Sequence, residues 1–121
     1  MRAIICDDDE IILRGLRSVI DWASLGIELV GTAGNGKEGL ALLKEQRPEL
    51  IMTDIRMPHV DGLQLIEEGK KQNPELMAIV FSGYDDFEYA RRALKLGVQD
   101  YLTKPINMDE LTHLASDCDK R

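Results

Sequence analysis

The sequence predicts an α/β fold in which a doubly wound, five-stranded parallel sheet is covered by helices on both faces. Short apolar runs and segments of helical spacing alternate five times along the chain, in units of roughly 25 residues. The apolar runs lack a strict polar and apolar alternation, which is typical of strands buried on both faces. Because crossovers between parallel strands are right-handed, five such units wind into one sheet.

The predicted strands are short runs rich in Ile, Val and Leu. They cover residues 3–6, 27–30, 50–53, 77–81 and 98–102. Each run is interpreted as one strand.

The segments between the strands predict five amphipathic helices, because their apolar residues recur three or four positions apart. The apolar positions are Ile12, Leu16, Val19 and Ile20 in the first helix; Leu40 and Leu43 in the second; Leu63 and Ile66 in the third; Phe87, Ala90 and Leu94 in the fourth; and Leu111, Leu114, Ala115 and Cys118 in the fifth.

Helix ends are also readable in the sequence. Asn35, Asp85 and Asn107 are predicted N-caps, and each is followed three residues later by a Glu that could complete a capping box. Gly26 and Gly97 suit the left-handed position that follows a helix.

Length and composition favour one domain over residues 1–121, large enough to bury a core without disulfides. Acidic residues outnumber basic ones 22 to 15, and the net charge of -7 disfavours direct binding to nucleic acid. Apolar runs are too short to cross a bilayer and the start lacks a secretory signal, so we expect no membrane partner and a cytoplasmic location. In that setting Cys6 and Cys118 read as small core residues rather than a disulfide.

Polar residues follow four of the predicted strands. An acidic group at residues 7–9 follows the first, Asp54 the third, Ser82 the fourth and Lys104 the fifth. Ligands of doubly wound sheets bind beyond the carboxyl ends of the strands, so we expect these side chains to converge. Clustered carboxylates repel one another unless a cation lies among them, and oxygen ligands favour Mg²⁺.

Taken one at a time, these residues have simpler readings. An Asp after a strand is a common helix cap or turn residue, and Lys104 before Pro105 could be a solvated loop cation. Their occurrence together, each after a predicted strand, is what points to a functional site.

Five motifs together resemble those of response regulator receiver domains. They are the acidic group at residues 7–9, the Thr-Asp-Ile-Arg-Met-Pro run at 53–58, the Asp-Gly pair at 61–62, the Phe-Ser-Gly step at 81–83 and the run at 100–105 that ends in Lys-Pro. They occur in the family's order and spacing and cover essentially the whole chain. The resemblance implies a flavodoxin-like (βα)5 receiver fold with strand order 2-1-3-4-5.

The resemblance also implies a role for each matching position. Asp54 corresponds to the phosphoacceptor and is itself one of the Mg²⁺ ligands. Asp8 corresponds to the carboxylate that binds Mg²⁺ directly. Asp7 acts mainly through water, and the backbone carbonyl of Arg56 completes the metal ligands.

Three further positions correspond to the residues that read the phosphoryl group. Ser82 matches the hydroxyl residue that bonds one phosphoryl oxygen, and Lys104 matches the cation that pairs with another. Tyr101 matches the aromatic switch residue, which turns inward when Ser82 moves. Family members differ in the lifetime of the phosphorylated state according to the positions of Arg56 and Tyr84, and we expect these large side chains to slow attack by water.

As a family member, the chain would take its phosphoryl group from a sensor histidine kinase and would turn over no external substrate. The segments 21–26 and 82–90 resemble receivers joined to AraC-type helix-turn-helix output domains, although Trp22 and Phe87 could equally be packing residues. We therefore expect a fragment of a longer transcription factor that contacts DNA only through its output domain. Homodimers could form through the fourth helix, fifth strand and fifth helix. The alternative is a free-standing receiver that acts through protein contacts.

Other classes of protein fit less well. A flavodoxin-like cofactor binder needs a phosphate-binding loop of backbone amides after the first strand, where residues 7–9 would repel a phosphate. A phosphohydrolase of the haloacid dehalogenase kind needs a second Asp two residues beyond the nucleophile, where Arg56 stands. A degenerate receiver that only binds a partner is disfavoured by the intact set of Asp8, Asp54, Ser82 and Lys104.

Overall fold

A computed structural model describes residues 1–83 and 87–120 and contains the predicted five-stranded parallel sheet. The strands are β1 (Arg2–Cys6), β2 (Glu28–Ala33), β3 (Leu50–Asp54), β4 (Met77–Ser82) and β5 (Asp100–Thr103). The helices are α1 (Glu10–Val19), α2 (Gly36–Gln46), α3 (Gly62–Gln72), α4 (Phe87–Lys95) and α5 (Met108–Asp119), with a short 3₁₀ turn at Ala23–Leu25. The strand order is β2-β1-β3-β4-β5, which confirms the fold expected from the resemblance. Each helix in the described ranges is too short or too polar to cross a membrane.

All five strands differ from the predicted runs by at least one residue, and two of them differ by more. β2 continues past Val30 to Ala33, because its last three residues pair with β1 although they are not strongly apolar. β5 begins at Asp100 rather than at Val98. The amide of Val98 still donates to Ala93 O at 3.4 Å and so belongs to the end of α4. The start of β5 is determined by its pairing with β4, which hydropathy along the chain does not reveal.

The core lies on both faces of the sheet, as continuous apolar strands predict. Alternate residues of β1 enter different clusters, with Ile5 on one face and Ile4 on the other. β3 is buried along its whole length. Trp22 is buried, and its indole Nε1 donates to Leu16 O at 2.9 Å, so the packing interpretation of this residue is correct. Both cysteines are buried, as expected for small core residues, and they form no disulfide with each other.

The caps of α2 and α5 are those predicted. Asn35 Oδ1 accepts the amide of Glu38 at 2.8 Å, and Asn107 Oδ1 accepts that of Glu110 at 3.0 Å. The full capping box among the described helices is instead at α3, where Asp61 and Gln64 exchange bonds of 2.9 and 3.0 Å. The sequence singled out Asp61 only as part of the Asp-Gly pair at 61–62, so this capping box was not predicted. The predicted cap Asp85 lies outside the described residues.

The two predicted helix-terminating glycines adopt the left-handed conformation. Gly26 and Gly97 both have φ of 76°, and each amide donates at 3.1 Å to a carbonyl three residues earlier. A side chain would be strained at either position. These turns direct the chain from each helical segment into the following strand.

Gly62 should not tolerate a side chain, because the first residue of α3 packs closely on the backbone of β3. Its amide donates to Ile55 O at 2.7 Å, and an added Cβ would lie 2.1 Å from Asp54 O. We expect Gly62→Ala to lower the free energy of unfolding by about 3 kcal/mol, measured by urea denaturation, because backbone must move. Gly15→Ala is the control: its nearest neighbour would be Met108 Cε at 3.8 Å, and it should stabilise α1 by up to ~1 kcal/mol. Equal urea midpoints for Gly62→Ala and the parent would contradict the packing described.

Candidate functional site

The carboxyl ends of β1, β3, β4 and β5 bring the predicted site residues to one edge of the sheet. Asp7 and Asp8 follow β1, Asp54 ends β3, Ser82 ends β4 and Lys104 follows β5. One carboxylate oxygen from each of Asp7, Asp8 and Asp54 lies within 4.8 Å of the others. We name these three residues the acidic triad. Asp9 does not join it, since its side chain caps α1 by accepting the amide of Ile11 at 2.9 Å.

Lys104 joins two members of the acidic triad. Its Nζ lies 3.1 Å from Asp7 Oδ2 and 3.1 Å from Asp54 Oδ2. Asp7 is fully buried and Asp54 is 6% exposed, whereas Asp8 faces solvent. One ammonium therefore compensates two buried carboxylates, and the third carboxylate stands at the open side of the site.

Burial changes the protonation of the two inner carboxyl groups. It raises the pKa of Asp54 to about 6, with repulsion from Asp7 adding to the effect and Lys104 opposing it. Burial likewise raises the pKa of Asp7. The Asp9 amide, which donates to Asp7 Oδ1 at 2.9 Å, and the Lys104 ammonium both act to lower this pKa, but burial outweighs them. Burial alone would lower the pKa of Lys104, but the two carboxylates outweigh it and raise that pKa. At neutral pH Asp54 is thus mainly ionised in an electrostatically costly position.

The acidic triad fits a divalent cation. Asp7 Oδ2 is buried and forms an ion pair of 3.1 Å with the Lys104 ammonium. A carboxylate oxygen carries two lone pairs, so this atom can face a second cation as well. Three converging carboxylates with an open side suit Mg²⁺, which prefers oxygen ligands and keeps several waters.

Ser82 and Tyr101, the two predicted switch residues, are in contact. Ser82 is fully buried at the end of β4, and its hydroxyl donates to the hydroxyl of Tyr101 on β5. Tyr101 is partly buried and packs against the core cluster that includes Ala93 of α4. The amide of Lys104 donates to Ser82 O at 2.8 Å, which joins the hydroxyl residue and the cation through the backbone.

Arg56 lies two residues beyond Asp54, in the loop that leads to α3. Its guanidinium Cζ is 5.3 Å from the ring centroid of Tyr89 on α4, a cation–π contact. Tyr84, the other residue expected to tune dephosphorylation, lies outside the described residues. Nothing in the sequence pattern singled out Tyr89, since a Tyr in an amphipathic helix is normally a packing residue.

A cavity opens beside the acidic triad. It is lined by Asp8, Arg56, Met57, Pro58, His59, Asp61, Gln64 and Tyr89. His59 was not identified from the sequence either; it adopts φ of 72°, which is uncommon for a residue with a side chain. The cavity gives solutes a route to the exposed carboxylate of Asp8.

Comparisons with known proteins agree with this geometry. A family model described as "Response regulator receiver domain" matches residues 3–116. The transcriptional regulatory protein YesN of Bacillus subtilis is 41% identical over 110 residues, which cover 91% of this chain and 30% of that protein. HptR of Staphylococcus aureus, a transcriptional regulatory protein, is 38% identical over 110 residues, covering 91% of this chain and 43% of that one.

Solved structures give the same result. The REC domain of AraT, a response regulator from Geobacillus stearothermophilus, superposes with a TM-score of 0.92 at 36% identity, covering 98% of this chain and 92% of that one. A two-component transcriptional regulator AraC from Clostridium phytofermentans gives 0.90 at 30% identity, with coverages of 99% and 93%. The chain spans less than half the length of the curated relatives above.

Proposed function

Because this chain belongs to the response regulator receiver domains of two-component systems, we propose that Asp54 accepts a phosphoryl group in a Mg²⁺-dependent reaction. The modification acts as a signal for an output domain or partner. It changes the protein itself and involves no turnover of an external substrate.

One observation carries this proposal. Lys104 Nζ lies 3.1 Å from the buried oxygens of both Asp54 and Asp7, while the three carboxylates of the acidic triad meet within 4.8 Å. This arrangement combines an ionised oxygen nucleophile with a cation that can pair with a phosphoryl oxygen. Structural carboxylates that only cap helices would not need a shared buried ammonium.

The residues of the site perform the reaction by position and charge. An ionised Asp54 oxygen attacks the phosphorus of the donor, and the bond from phosphorus to the leaving group breaks. A carboxylate with a pKa of about 6 needs no general base at neutral pH. Lys104 pairs with a phosphoryl oxygen as negative charge spreads over the transferred group.

The acidic triad and the carbonyl of Arg56 are the groups that would hold Mg²⁺. When bound, the ion neutralises charge on the carboxylates and on the phosphoryl oxygens. Asp8 offers the solvent-facing ligand, and Asp7, whose buried oxygen pairs with Lys104, would act mainly through water.

The signal passes through Ser82 and Tyr101. Ser82 donates its hydroxyl to Tyr101, and we propose that it donates to a phosphoryl oxygen once Asp54 is modified. Ser82 would then no longer donate to Tyr101, whose ring would move as the resemblance implies and change the surface formed by α4, β5 and α5. Such a change of hydrogen-bond partner is a local switch of the kind that a newly added phosphoryl dianion produces.

A histidine kinase is the general partner of this family, and we propose that one supplies the phosphoryl group. We further propose that residues 1–121 form the receiver of a longer transcription regulator, because the relatives named transcriptional regulators are more than twice the matched length. DNA binding would then belong to the output domain, and dimers would form through α4, β5 and α5. A free-standing receiver that acts through protein contacts is the alternative.

We also propose that Arg56 and Tyr84 slow the loss of the phosphoryl group by crowding the approach of water to Asp54. The Arg56 side chain reaches the Tyr89 ring at the cavity beside the acidic triad, which supports a place on that approach.

Incubation with acetyl phosphate tests the proposed function. With Mg²⁺ present, intact-mass measurement should show the gain of one phosphoryl group per chain, because donor, carboxylate and cation meet at one edge. With the metal removed by EDTA the gain should be lost. A protein that stays unmodified with Mg²⁺ present, or that gains the group equally in EDTA, would contradict the proposal.

A further inference from the structure

The loop from β3 to α3 begins beside the acidic triad and packs against α2. It covers residues 55–61 and includes Arg56, whose carbonyl would hold Mg²⁺ and which lines one cavity together with Asp8. At the base of the loop the amide of Gly62 donates to Ile55 O at 2.7 Å, so one backbone hydrogen bond joins its two ends. Since the ends are joined, the conformation of the loop depends on what its middle residues contact.

The middle of this loop turns at His59, which has a left-handed backbone conformation. His59 has φ of 72°, and the amide of Val60 donates to Pro58 O at 2.9 Å. A hydrogen bond across three residues with a positive φ at the centre is a γ-turn, which is rare and strained for a residue with a side chain. Such a turn persists only where the surrounding structure supports it.

α2 supplies this support at Gly36, its first residue. A Cβ added to Gly36 would overlap Val60 O and lie 2.5 Å from Val60 Cβ, so the backbone of α2 packs directly on the backbone of the loop. Gly36 is buried, and glycine otherwise weakens a helix relative to alanine. The close approach therefore gives a reason for a residue without a side chain at this position.

The start of α2 is fixed independently of the loop. Asn35 Oδ1 accepts the amide of Glu38 at 2.8 Å, and Glu38 Oε2 accepts the amide of Gly34 at 3.1 Å. These hydrogen bonds hold the backbone on both sides of Gly36. A side chain added at Gly36 would therefore displace the loop rather than α2.

We propose that Gly36 is a positioning residue on which the loop of residues 55–61 rests, and that this support sets the direction of the Arg56 carbonyl toward a divalent cation at the acidic triad. The proposal rests on the proposed function of these groups as a Mg²⁺ site. Mg²⁺ requires near-octahedral ligands at short distances, so a displaced carbonyl lowers the affinity. Gly36 offers no ligand to the metal and acts through the loop.

The test is the Mg²⁺ affinity of purified variants, measured by NMR titration without any phosphodonor. Gly36→Ala should weaken binding by about tenfold, within the range that groups supporting a metal ligand contribute. Gly69→Ala is the matched control, because its Cβ would lie 2.5 Å from Leu76 Cδ2 and so press on a side chain toward the other end of α3. It should lower the melting temperature and leave the Mg²⁺ affinity unchanged. Equal losses of affinity in the two variants, or parental affinity of Gly36→Ala, would overturn the positioning role and leave the proposed function intact.

His59 provides a second test that does not depend on the folding of Gly36→Ala. His59→Gly relaxes the left-handed turn and loosens the loop, so the Mg²⁺ affinity should fall by about twofold to fivefold, because the added freedom is lost on binding. His59→Asn tolerates a positive φ and keeps a side chain, so it should bind as the parent does. Parental affinity of His59→Gly would overturn the proposal, and a parent protein that binds no Mg²⁺ would overturn the proposed function as well.

Discussion

Replacement of Asp54 by Asn is expected to abolish phosphoryl uptake from acetyl phosphate and Mg²⁺, as measured by intact mass. The amide has no ionised oxygen to attack phosphorus. Asp7 and Asp8 should not replace Asp54 as the acceptor, because they follow β1 and do not occupy its position at the end of β3. Asp109→Asn is the matched control, because Asp109 is exposed in the first turn of α5 and far along the chain from the acidic triad. Uptake by Asp54→Asn at the parental level would place the phosphoryl group elsewhere.

The same substitution should also stabilise the protein when no metal is present. The pKa of Asp54 is about 6 in the folded state and near 3.8 when unfolded, so the folded state binds more protons between these values. Stability from this group is present below pH 4 and is lost as pH rises through about 6. At pH 7.5 in EDTA, Asp54→Asn should therefore exceed the parent by about 2 kcal/mol in urea unfolding, a gain that should shrink by pH 5. A constant difference between pH 5 and 7.5 would contradict the electrostatic explanation.

Replacement of Lys104 by Gln should produce the second large effect. It removes the ammonium that lies 3.1 Å from both Asp7 and Asp54 and leaves two buried carboxylates without their cation. In EDTA at pH 7.5 the free energy of unfolding should fall by about 3 kcal/mol. The rate of phosphoryl uptake with Mg²⁺ should fall by about 100-fold or more, because a charge-stabilising contact to the transferred group is lost.

Lys71→Gln serves as the control for Lys104. Lys71 pairs with Glu68 at 3.1 Å on the surface of α3, where an exposed ion pair contributes little. Its uptake rate should equal that of the parent. If Lys104→Gln behaves like Lys71→Gln in both measurements, the bridging ammonium has neither of the roles assigned to it.

Much of the site could be predicted from the sequence because parallel strands end at a common edge. Asp54 and Lys104 are 50 positions apart, yet each directly follows or ends an apolar run, so topology alone brings them together. The helix caps at Asn35 and Asn107 were readable for a similar reason, since a cap is a local interaction.

The remaining features depend on contacts between distant segments. The end of β2 at Ala33 follows from pairing with β1, not from hydropathy. The contact between Arg56 and Tyr89 requires α4 to lie beside the loop after β3, which no periodic pattern along the chain encodes. The sharing of one ammonium by Asp7 and Asp54 likewise needs the register of four neighbouring strands, β1, β3, β4 and β5.

The most direct test is to locate the phosphoryl group after treatment with acetyl phosphate and Mg²⁺. Reduction of an aspartyl phosphate with borohydride marks the modified residue, and peptide mass mapping then identifies it. We expect Asp54 alone to carry the mark. A mark on Asp7 or Asp8, or an acid-labile phosphoryl group on His59 at the cavity, would contradict it.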